Sequence, residues 1–378
     1  MNIDKVKLTK ALSQIGIFVG KNSIDKTTTL VHFRNENKKA MMFATDLVSA
    51  GRTYFDTDED GLFEFCIEYD QLQQTVRARG KILEASIALD EENEDGEKMS
   101  YIKFTDGKSN FKWALRDNGT LKDKEDATAV PTDAKFFDVD AKTLKEAVNE
   151  AGFARDEKST QTPYIMGVNF TGCGSDINII STDRHRVAGW KNPNSETLDG
   201  MDAEKVNAIL SPKTIASINL YGDEEKVRLY ITSDKVVLVS DSLEAYATKI
   251  NSNYPNIMAM FDKPIVSSYK INSKEIKESL EIVLFDNDAV TMDFKENKVL
   301  VSSRRMSGNG SFNDEFDCER ISGGDEKIII KAKDILDIVK NVSSDHMALS
   351  FRNMDNGMKM LSYNTDDGAY GFIAPMKN

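Results

Sequence analysis

The chain repeats one arrangement of helices and strands three times along its length. Each repeat opens with an amphipathic helix, which is identified by apolar residues spaced three or four positions apart. The three apolar sets are Leu8, Ala11, Leu12 and Ile15; Leu144, Ala147, Val148 and Ala151; and Ile276, Leu280, Val283 and Leu284. A strand that leads into a second helix follows in segments 63–80, 207–222 and 327–342. A period of roughly 130 residues is much longer than a solenoid repeat, so each copy is predicted to be a domain in a ring or an array.

The length agrees with three domains, because 378 residues divided by three give 126, which is close to the commonest domain size. The predicted domains are 1–127, 128–258 and 259–378. Segments 227–241 and 289–303 alternate apolar and polar residues around a turn, which predicts β-hairpins with one buried face. The predicted fold class is therefore α+β, with two helices and antiparallel sheets in each domain.

Four polar segments separate these predicted elements. The charged segment 116–135 and the shorter segment 251–264 are predicted to be linkers between domains. The second contains apolar residues, which indicates that it packs against the protein. Segments 90–98 and 192–205 are predicted to be solvated loops inside domains.

Composition excludes several classes of protein. No stretch approaches the roughly 18 apolar residues of a membrane span, and the first residues lack an apolar signal sequence, so we expect a soluble cytoplasmic protein that makes no membrane contact. Cys66, Cys173 and Cys318 stand far apart without CxxC spacing. Scattered cysteines of odd number favour reduced, packed thiols over disulfides or a metal site.

Residues that could carry catalysis are scarce. His32, His185 and His346 have neither the spacing nor the neighbouring carboxylates of a metal centre. The chain has no phosphate-binding loop of the pattern GxxxxGK[ST]. We therefore expect a protein that is not an enzyme, with no catalytic residues, no metal and no cofactor.

The segment 177–190 gives the clearest indication of a specific function. A buried strand leads there into a Thr-Asp turn, which is followed by His185 and Arg186. Thr45 and Asp46 occupy the same place in the first repeat, without the His-Arg pair. A catalytic group that includes Asp183 is conceivable, but turn chemistry is the simpler interpretation, since Thr and Asp side chains bond nearby backbone amides. The His-Arg pair indicates a function that is specific to the middle domain.

Four separated motifs resemble, in order and spacing, the bacterial-type β sliding clamp family, the processivity ring of replicative DNA polymerase. The motifs are YIMGV (164–168), TDRHRVA (182–188), NYPNIMAM (253–260) and YGFIAPMKN (370–378). The resemblance covers nearly the whole chain and implies the DNA clamp fold, with two chains joined head to tail in a ring around double-stranded DNA. It also implies a processivity factor that a clamp loader places on DNA and that tethers the replicative DNA polymerase.

The resemblance implies an apolar pocket between the second and third domains that receives a short motif from partner proteins. Its predicted lining is Ile165, Thr182, Arg184, His185, Arg186, Val187, Pro255, Met260, Phe372, Ala374, Pro375 and Met376. Apolar residues in a linker and at a terminus, where chains normally run polar, support such a pocket. Arg184 replaces the family's usual glycine, Ala374 its methionine and Asn378 its apolar last residue. These departures predict a reshaped pocket with a more cationic rim, in a divergent and phage-like replication system.

The charge balance is unusual for a DNA-binding protein, because the net charge is −13 and phosphate neutralisation normally supplies non-specific affinity. The predicted DNA-facing cations are Lys7, Lys10, Arg77, Arg79, Lys81, Lys142, Lys145, Lys213, Lys274, Lys277, Lys333 and Lys340. Ordinary solvated helix faces would look similar, and glutamates on the same helices dilute the positive charge. A ring with its helices inside and acidic loops outside would reconcile these features, since topology rather than affinity would then retain the DNA.

The head-to-tail contact of the family corresponds to Phe111 and Trp113 in the first domain and to Val283 and Leu284 in the third. Contacts between unlike surfaces close a ring when the rotation allows it. Packing inside the protomer would explain the same apolar residues.

Two other classes of protein stay open at this point. An enzyme or carbohydrate-binding protein made of β-rich repeats would need a cleft of convergent polar residues, which the sequence does not assemble. An acidic scaffold that binds only proteins would share the pocket but would not encircle DNA. A requirement for DNA separates the scaffold from the clamp.

Overall fold

A computed structural model describes residues 1–21, 24–92, 98–117, 119–130, 134, 136–173, 176–193, 206–283, 289–304 and 311–376. Over these ranges the chain has an α+β fold whose paired strands are antiparallel, which confirms the predicted fold class. The helices within them are α1 (Lys5–Ile15), α2 (Tyr69–Thr75), α3 (Gly119–Asp126), α4 (Ala141–Gly152), α5 (Pro212–Ile218), α6 (Ser273–Val283) and α7 (Ala332–Asn341). The six helices predicted from the repeat are confirmed, and α3 is additional.

The strands are short and follow one another closely along the chain. They are β1 (Asn2–Asp4), β2 (Leu30–Glu36), β3 (Lys39–Thr45), β4 (Ser49–Asp56), β5 (Phe63–Glu68), β6 (Ile82–Glu92), β7 (Lys98–Thr105), β8 (Asn110–Ala114), β9 (Phe136–Asp140), β10 (Val168–Cys173), β11 (Asp176–Thr182), β12 (Arg186–Lys191), β13 (Val206–Leu210), β14 (Lys226–Ile231), β15 (Lys235–Val239), β16 (Leu243–Thr248), β17 (Ile265–Asn272), β18 (Ala289–Phe294), β19 (Lys298–Arg304), β20 (Ser311–Ser322), β21 (Glu326–Lys331), β22 (His346–Asn353), β23 (Lys359–Asn364) and β24 (Ala369–Ile373). The predicted hairpins are confirmed, since β14 pairs with β15 and β18 with β19.

The chain divides into two compact units, of which the first comprises residues 1–141 and 213–249. Its larger sheet has the strand order β5-β2-β3-β4-β16-β15-β14-β9, and its smaller sheet the order β1-β6-β7-β8. Helix α1 begins after Asp4, whose Oδ1 accepts the N–H groups of Val6 (2.7 Å) and Lys7 (3.1 Å). This side chain satisfies two of the donors that a helix start leaves unpaired. The helix then buries Leu8 and Leu12 on its apolar face.

The second unit comprises residues 142–212 and 250–378. Its strands form one sheet in the order β13-β10-β11-β12-β24-β23-β22-β17-β20-β19-β18-β21. Helices α6 and α7 pack on this sheet through apolar side chains three and four positions apart, among them Ile276, Leu280, Ile335 and Val339. Pairing of β12 with β24 places the segment after the Thr-Asp turn beside the last strand of the chain.

The division into domains at 127 and 258 stays a prediction. The two compact units cut across those boundaries, because β16 pairs with β4 and β24 with β12. Backbone hydrogen bonds therefore continue the eight-stranded and the twelve-stranded sheet from one predicted domain into the next.

The predicted linker 116–135 is not simply an extended connection, because helix α3 lies inside it. Leu121 on this helix is fully buried. Glu125 Oε2 lies 2.6 Å from Nδ1 of His32, a buried residue of β2. These two contacts hold a highly charged segment against the sheet of the first unit. Residues 118, 131–133 and 135 of the segment lie outside the described residues.

The other polar segments differ from one another. In segment 251–264 a 3₁₀ helix, Ile257–Met260, buries Ile257, which confirms that this segment packs against the protein. The predicted loop 90–98 is shorter than expected, since β6 reaches Glu92 and β7 begins at Lys98, and residues 93–97 are outside the described ranges. Most of segment 192–205 also lies outside them. Among the described helices none is long and apolar enough to cross a membrane.

Candidate partner-binding site

The Thr-Asp turn between β11 and β12 is held by side chains that bond their own backbone. Thr182 Oγ1 accepts the N–H of Arg184 at 3.0 Å and donates to the carbonyl of Arg186 at 2.7 Å. Asp183 Oδ1 accepts the N–H groups of His185 and Arg186, each at 2.9 Å. Arg184 adopts a left-handed backbone conformation with φ of 76°. The turn therefore projects two consecutive side chains, Arg184 and His185, into solvent.

The turn between β3 and β4 has the same geometry. Thr45 Oγ1 accepts the N–H of Leu47 at 3.0 Å and donates to the carbonyl of Ser49 at 2.8 Å. Asp46 Oδ1 accepts the N–H groups of Val48 (3.1 Å) and Ser49 (2.7 Å), and Leu47 has φ of 75°. These contacts confirm that Thr-Asp is turn chemistry, so the difference between the two copies lies in the side chains that the turn presents.

Arg186 lies inside a group of carboxylates. Its Nε is 3.0 Å from Asp183 Oδ2, and its Nη1 is 2.6 Å from Asp337 Oδ2 and 3.9 Å from Asp334 Oδ1. The guanidinium carbon lies 5.5 Å from the ring centroid of Phe153. The side chain of Arg186 is only 10% exposed. Two of these carboxylates come from α7, so the guanidinium ties the turn to that helix.

Burial and charge oppose each other in this group. Burial lowers the pKa of Arg186, but the hydrogen bond of Asp337 and the nearby carboxylates outweigh it and the pKa is raised. Burial raises the pKa of Asp334 above its usual value, and the charge of Arg186 offsets only part of that effect. The offset is partial because Asp334 Oδ1 lies 3.9 Å from Nη1 of Arg186, beyond hydrogen-bond distance.

A cavity of about 180 Å³ opens beside the turn. Its lining is Tyr164, Thr182, Arg184, His185, Arg186, Val187, Pro255, Ile257, Met260, Met360 and Phe372. The floor is apolar, because Val187, Ile257, Met360 and Phe372 are buried in one cluster. Arg184, His185 and Pro255 are exposed at the rim. The arrangement can bury small apolar side chains and offers charge only around its edge.

Non-local pairing brings the walls of the cavity together. Val187 of β12 lies opposite Phe372 of β24 in the sheet. The N–H of Ala374 donates to the carbonyl of His185 at 2.9 Å, which continues this pairing beyond the strand. The Tyr254 hydroxyl donates to the carbonyl of Ile180 at 3.2 Å and so anchors the segment that carries Pro255 and Met260.

Eight of the predicted pocket residues line the cavity: Thr182, Arg184, His185, Arg186, Val187, Pro255, Met260 and Phe372. The other four predicted residues lie elsewhere. Ile165 is fully buried, and its neighbour Tyr164 lines the cavity instead. Ala374 packs against the apolar cluster, while the N–H of Met376 donates to the carbonyl of Ile329 at 2.8 Å. Pro375, half-buried between them, is outside the lining too.

Three lining residues were missed by sequence reasoning, namely Tyr164, Ile257 and Met360. Tyr164 and Ile257 stand within the quoted motifs, one or two residues from predicted positions. Met360 is different, because β23 reaches the cavity only through the pairing of β23, β24 and β12. The alternation of apolar and polar residues in β23 predicts that Met360 is buried but not which residues it contacts.

Nine of the predicted DNA-facing cations are exposed: Lys7, Lys10, Arg77, Arg79, Lys81, Lys142, Lys274, Lys333 and Lys340. Lys145, Lys213 and Lys277 are half-buried. The prediction that Arg77, Arg79 and Lys81 lie on a helix was wrong, because α2 ends at Thr75 and they follow it. Lys213 Nζ lies 2.8 Å from Asp46 Oδ2, so this lysine supports the first turn within its own unit.

Several of these cations have carboxylates close by on the helix surface. Lys142 lies 4.0 Å from Glu146 and Lys274 lies 3.9 Å from Glu278, each one turn along its helix. Lys340 of α7 lies 3.1 Å from Glu281 of α6. Exposed pairs of this kind are weak, but the carboxylates lower the local net positive charge.

The predicted dimer residues occupy two kinds of environment. Phe111 and Trp113 are half-buried on β8, which is an edge strand of its sheet among the described residues. Trp113 Nε1 donates to Thr75 Oγ1 at 2.9 Å. Val283 is 2% exposed in the core of the second unit, so its assignment to a surface contact was wrong. Leu284 lies outside the described residues.

Within the described ranges no group of three or more His, Cys, Asp or Glu side chains converges in a way that could hold a metal ion. His32 has carboxylates on both sides, Glu125 at Nδ1 (2.6 Å) and Glu64 at Nε2 (2.8 Å). The two ring nitrogens point in opposite directions, so these groups cannot converge on one ion. The contacts instead join β2, β5 and α3.

Comparisons with known proteins agree with the fold. The family model for the DNA polymerase III beta subunit, central domain, matches residues 138–256. The beta sliding clamp of Streptococcus pneumoniae serotype 4 is 21% identical over 248 residues, which are 63% of this chain and 64% of that protein. The beta sliding clamp of Halalkalibacterium halodurans is 21% identical over 241 residues, 62% of this chain and 63% of the relative. The aligned part therefore spans less than two thirds of these relatives.

Solved structures extend the likeness to the whole chain. The DNA polymerase III beta subunit of Thermotoga maritima has a TM-score of 0.83 at 18% identity, covering 100% of this chain and 99% of that one. The Helicobacter pylori beta clamp bound to a DNA ligase peptide has a TM-score of 0.82 at 15% identity, with 100% of both chains covered. The Pseudomonas aeruginosa sliding clamp bound to griselimycin has a TM-score of 0.85 at 12% identity, covering 100% and 99%. Over its full length the chain therefore has the fold of these sliding clamps, and its central part, residues 138–256, matches the family model for the central domain of the DNA polymerase III beta subunit.

Proposed function

We propose that this protein is a DNA sliding clamp, a processivity factor that encircles double-stranded DNA and tethers the replicative DNA polymerase and other partners. The observation that carries the proposal is an apolar cavity with an exposed rim in a chain that has the clamp fold. The protein acts without a cofactor and without catalysis of its own, as a homodimeric ring that a clamp loader places on DNA.

The cavity is the proposed docking point for a short peptide segment of each partner. Its volume of about 180 Å³ and its apolar floor suit one or two side chains such as Leu and Phe. Burial of each contributes about 1.5–3 kcal/mol, and ordering the peptide offsets part of that gain, which leaves an affinity on the order of micromolar. Weak binding lets partners replace one another. The ligase peptide bound by the Helicobacter pylori clamp is a ligand of the same chemical class.

Met260→Asp is expected to weaken peptide binding at least tenfold, because the half-buried Met260 lines the cavity and a carboxylate there would be buried beside the ligand without a partner. The measurement is fluorescence anisotropy with a labelled decapeptide that contains a Leu-Phe pair. Met358→Asp is the matched control, since Met358 is 39% exposed and does not line the cavity; its affinity should change less than twofold. Equal affinities for the two variants would remove the cavity from the proposal.

Retention on DNA is proposed to come from topology. The exposed cations on α1, α4, α6 and α7 would face the duplex, while the net charge of −13 discourages DNA from binding the outer surface. Nearby glutamates keep each phosphate contact weak and sequence-independent, which favours sliding. Edge strand β8, with Phe111 and Trp113, is the proposed first-domain side of the head-to-tail contact.

On nicked circular DNA, the loaded protein is expected to co-elute with the DNA in gel filtration at moderate salt and to be released when the DNA is linearised. Loading uses a clamp loader or a high protein concentration. Trp113→Glu is the control variant: it should sediment as a monomer and should not be retained on the circle. Retention that survives linearisation would mean ordinary affinity binding. Failure to associate after verified loading would favour a scaffold that binds only proteins.

A further inference from the structure

Arg184 lies at the rim of the cavity, and its side chain is exposed to solvent. Its backbone N–H bonds Thr182 Oγ1, but within the described part of the chain its exposed side chain makes no hydrogen bond and no ion pair. A guanidinium carries five donors in a planar fork that matches a carboxylate. This side chain therefore has its full donor set available to a molecule that enters the cavity.

The second arginine of the lining is in the opposite state. Arg186 is 10% exposed and is engaged by Asp183, Asp334 and Asp337. The Asp183 carboxylate is in turn directed inward, since it accepts two backbone N–H groups and the Nε–H of Arg186. The turn and α7 therefore engage Arg186 in structural contacts, whereas the side chain of Arg184 can contact a ligand.

The backbone of the turn does not require an arginine at this position. Leu47 occupies the equivalent place in the first-repeat turn, with φ of 75° against 76° for Arg184 and the same set of hydrogen bonds. In both turns the left-handed conformation is one that glycine adopts most easily. A charged side chain at a strained position beside a cavity points to a role in that cavity.

We propose that Arg184 makes the cavity select partner peptides that carry an acidic residue next to their apolar anchor side chains. The inference rests on the proposed function, because it assigns a partner chemistry to the same cavity. The apolar floor receives the anchors, and the Arg184 guanidinium receives the neighbouring Asp or Glu carboxylate. The carboxylates around Arg186 carry net negative charge, so the preference depends on direct contact with Arg184 and not on the field of the surface.

The test uses fluorescein-labelled decapeptides that share one Leu-Phe pair and carry Asp, Asn or Lys at one of the two positions on either side of it. At one of these positions the wild-type protein is expected to bind the Asp peptide about two- to fivefold more tightly than the Asn peptide, as for an exposed ion pair. The Lys peptide should bind more weakly than both. The preference should disappear in 0.5 M NaCl, since salt screens an exposed pair.

Arg184→Gln removes the charge and keeps most of the side chain, so it should bind the Asp and Asn peptides with equal affinity. Arg184→Lys should retain part of the preference. Leu47→Gln, a change at the matching position of the first-repeat turn, which does not line the cavity, should leave the Asp preference unchanged. The inference is overturned if the Asp preference is absent at every position, survives in Arg184→Gln, or is replaced by a preference for Lys. If no Leu-Phe peptide binds at all, the proposed function of the cavity fails and this inference fails with it.

Discussion

Arg186→Met is expected to lower the free energy of unfolding by about 3 kcal/mol, the lower end of the cost of leaving a buried charge unpaired. Methionine fills much of the same space, but Asp183, Asp334 and Asp337 then face one another without a cation. These side chains are 19%, 10% and 29% exposed, so water compensates them only in part. The measurement is urea unfolding followed by circular dichroism at pH 7.

The pH dependence of this variant separates electrostatics from packing. Burial already raises the pKa of Asp334, and loss of the guanidinium would raise the pKa of Asp334 further, because the charge of Arg186 lowers it. Protonation then relieves the repulsion, so the deficit of Arg186→Met should shrink as pH falls from 7 to 5. Adding Asp334→Asn and Asp337→Asn should restore more than half of the lost stability. A deficit that is independent of pH would assign the effect to lost packing against Phe153.

His32 is expected to make the first unit more stable in mild acid than in alkali. Burial lowers the pKa of His32, but the hydrogen bonds and charges of Glu125 and Glu64 outweigh it, and the pKa is raised above 6.5. A raised pKa means that the folded protein binds the proton more tightly than the unfolded chain. The stabilisation is therefore fully present below the unfolded pKa of about 6.5 and is lost as pH rises through the folded pKa.

Urea unfolding between pH 6 and pH 9 measures this slope, and His32→Gln should flatten it. The same variant should lose about 3 kcal/mol at pH 6, because it removes the buried cation that lies between the carboxylates of Glu64 and Glu125. Since Glu125 belongs to α3, amide hydrogen exchange in α3 should quicken with rising pH beyond the intrinsic rate. A slope that persists in His32→Gln would assign the pH dependence to another group.

Regular elements were predictable because their signals are local. Leu8, Leu12 and Ile15 mark α1 by spacing alone, and the hairpin of β14 and β15 follows from alternation around one turn. Helix α3 was missed because its apolar side is essentially Leu121, and its other contacts are polar and long-range, such as Glu125 with His32 and Lys124 with Asp25. Contacts of this kind leave no periodic pattern in the sequence.

In the candidate site too, contacts between residues far apart in the sequence could not be predicted. Resemblance to a family supplied most of the lining, because the motifs keep their order in the chain. The resemblance could not show that carboxylates engage the Arg186 guanidinium. Asp334 and Asp337 lie about 150 residues further on and reach Arg186 only through the packing of α7. Val283 was misassigned for a related reason: an apolar residue at a helix end looks the same whether the core or a partner covers it.

The pairings of β4 with β16 and of β12 with β24 limit which fragments of the protein keep their sheets complete. A fragment that stops at residue 127 would leave β4, an eight-residue strand with a mostly buried pattern, without its neighbour. A fragment that stops at 258 would strip β12 in the same way. Long open edges recruit other chains, so single repeats cut at residues 127 and 258 would tend to associate with one another, and only a polypeptide that holds all four strands keeps both pairings.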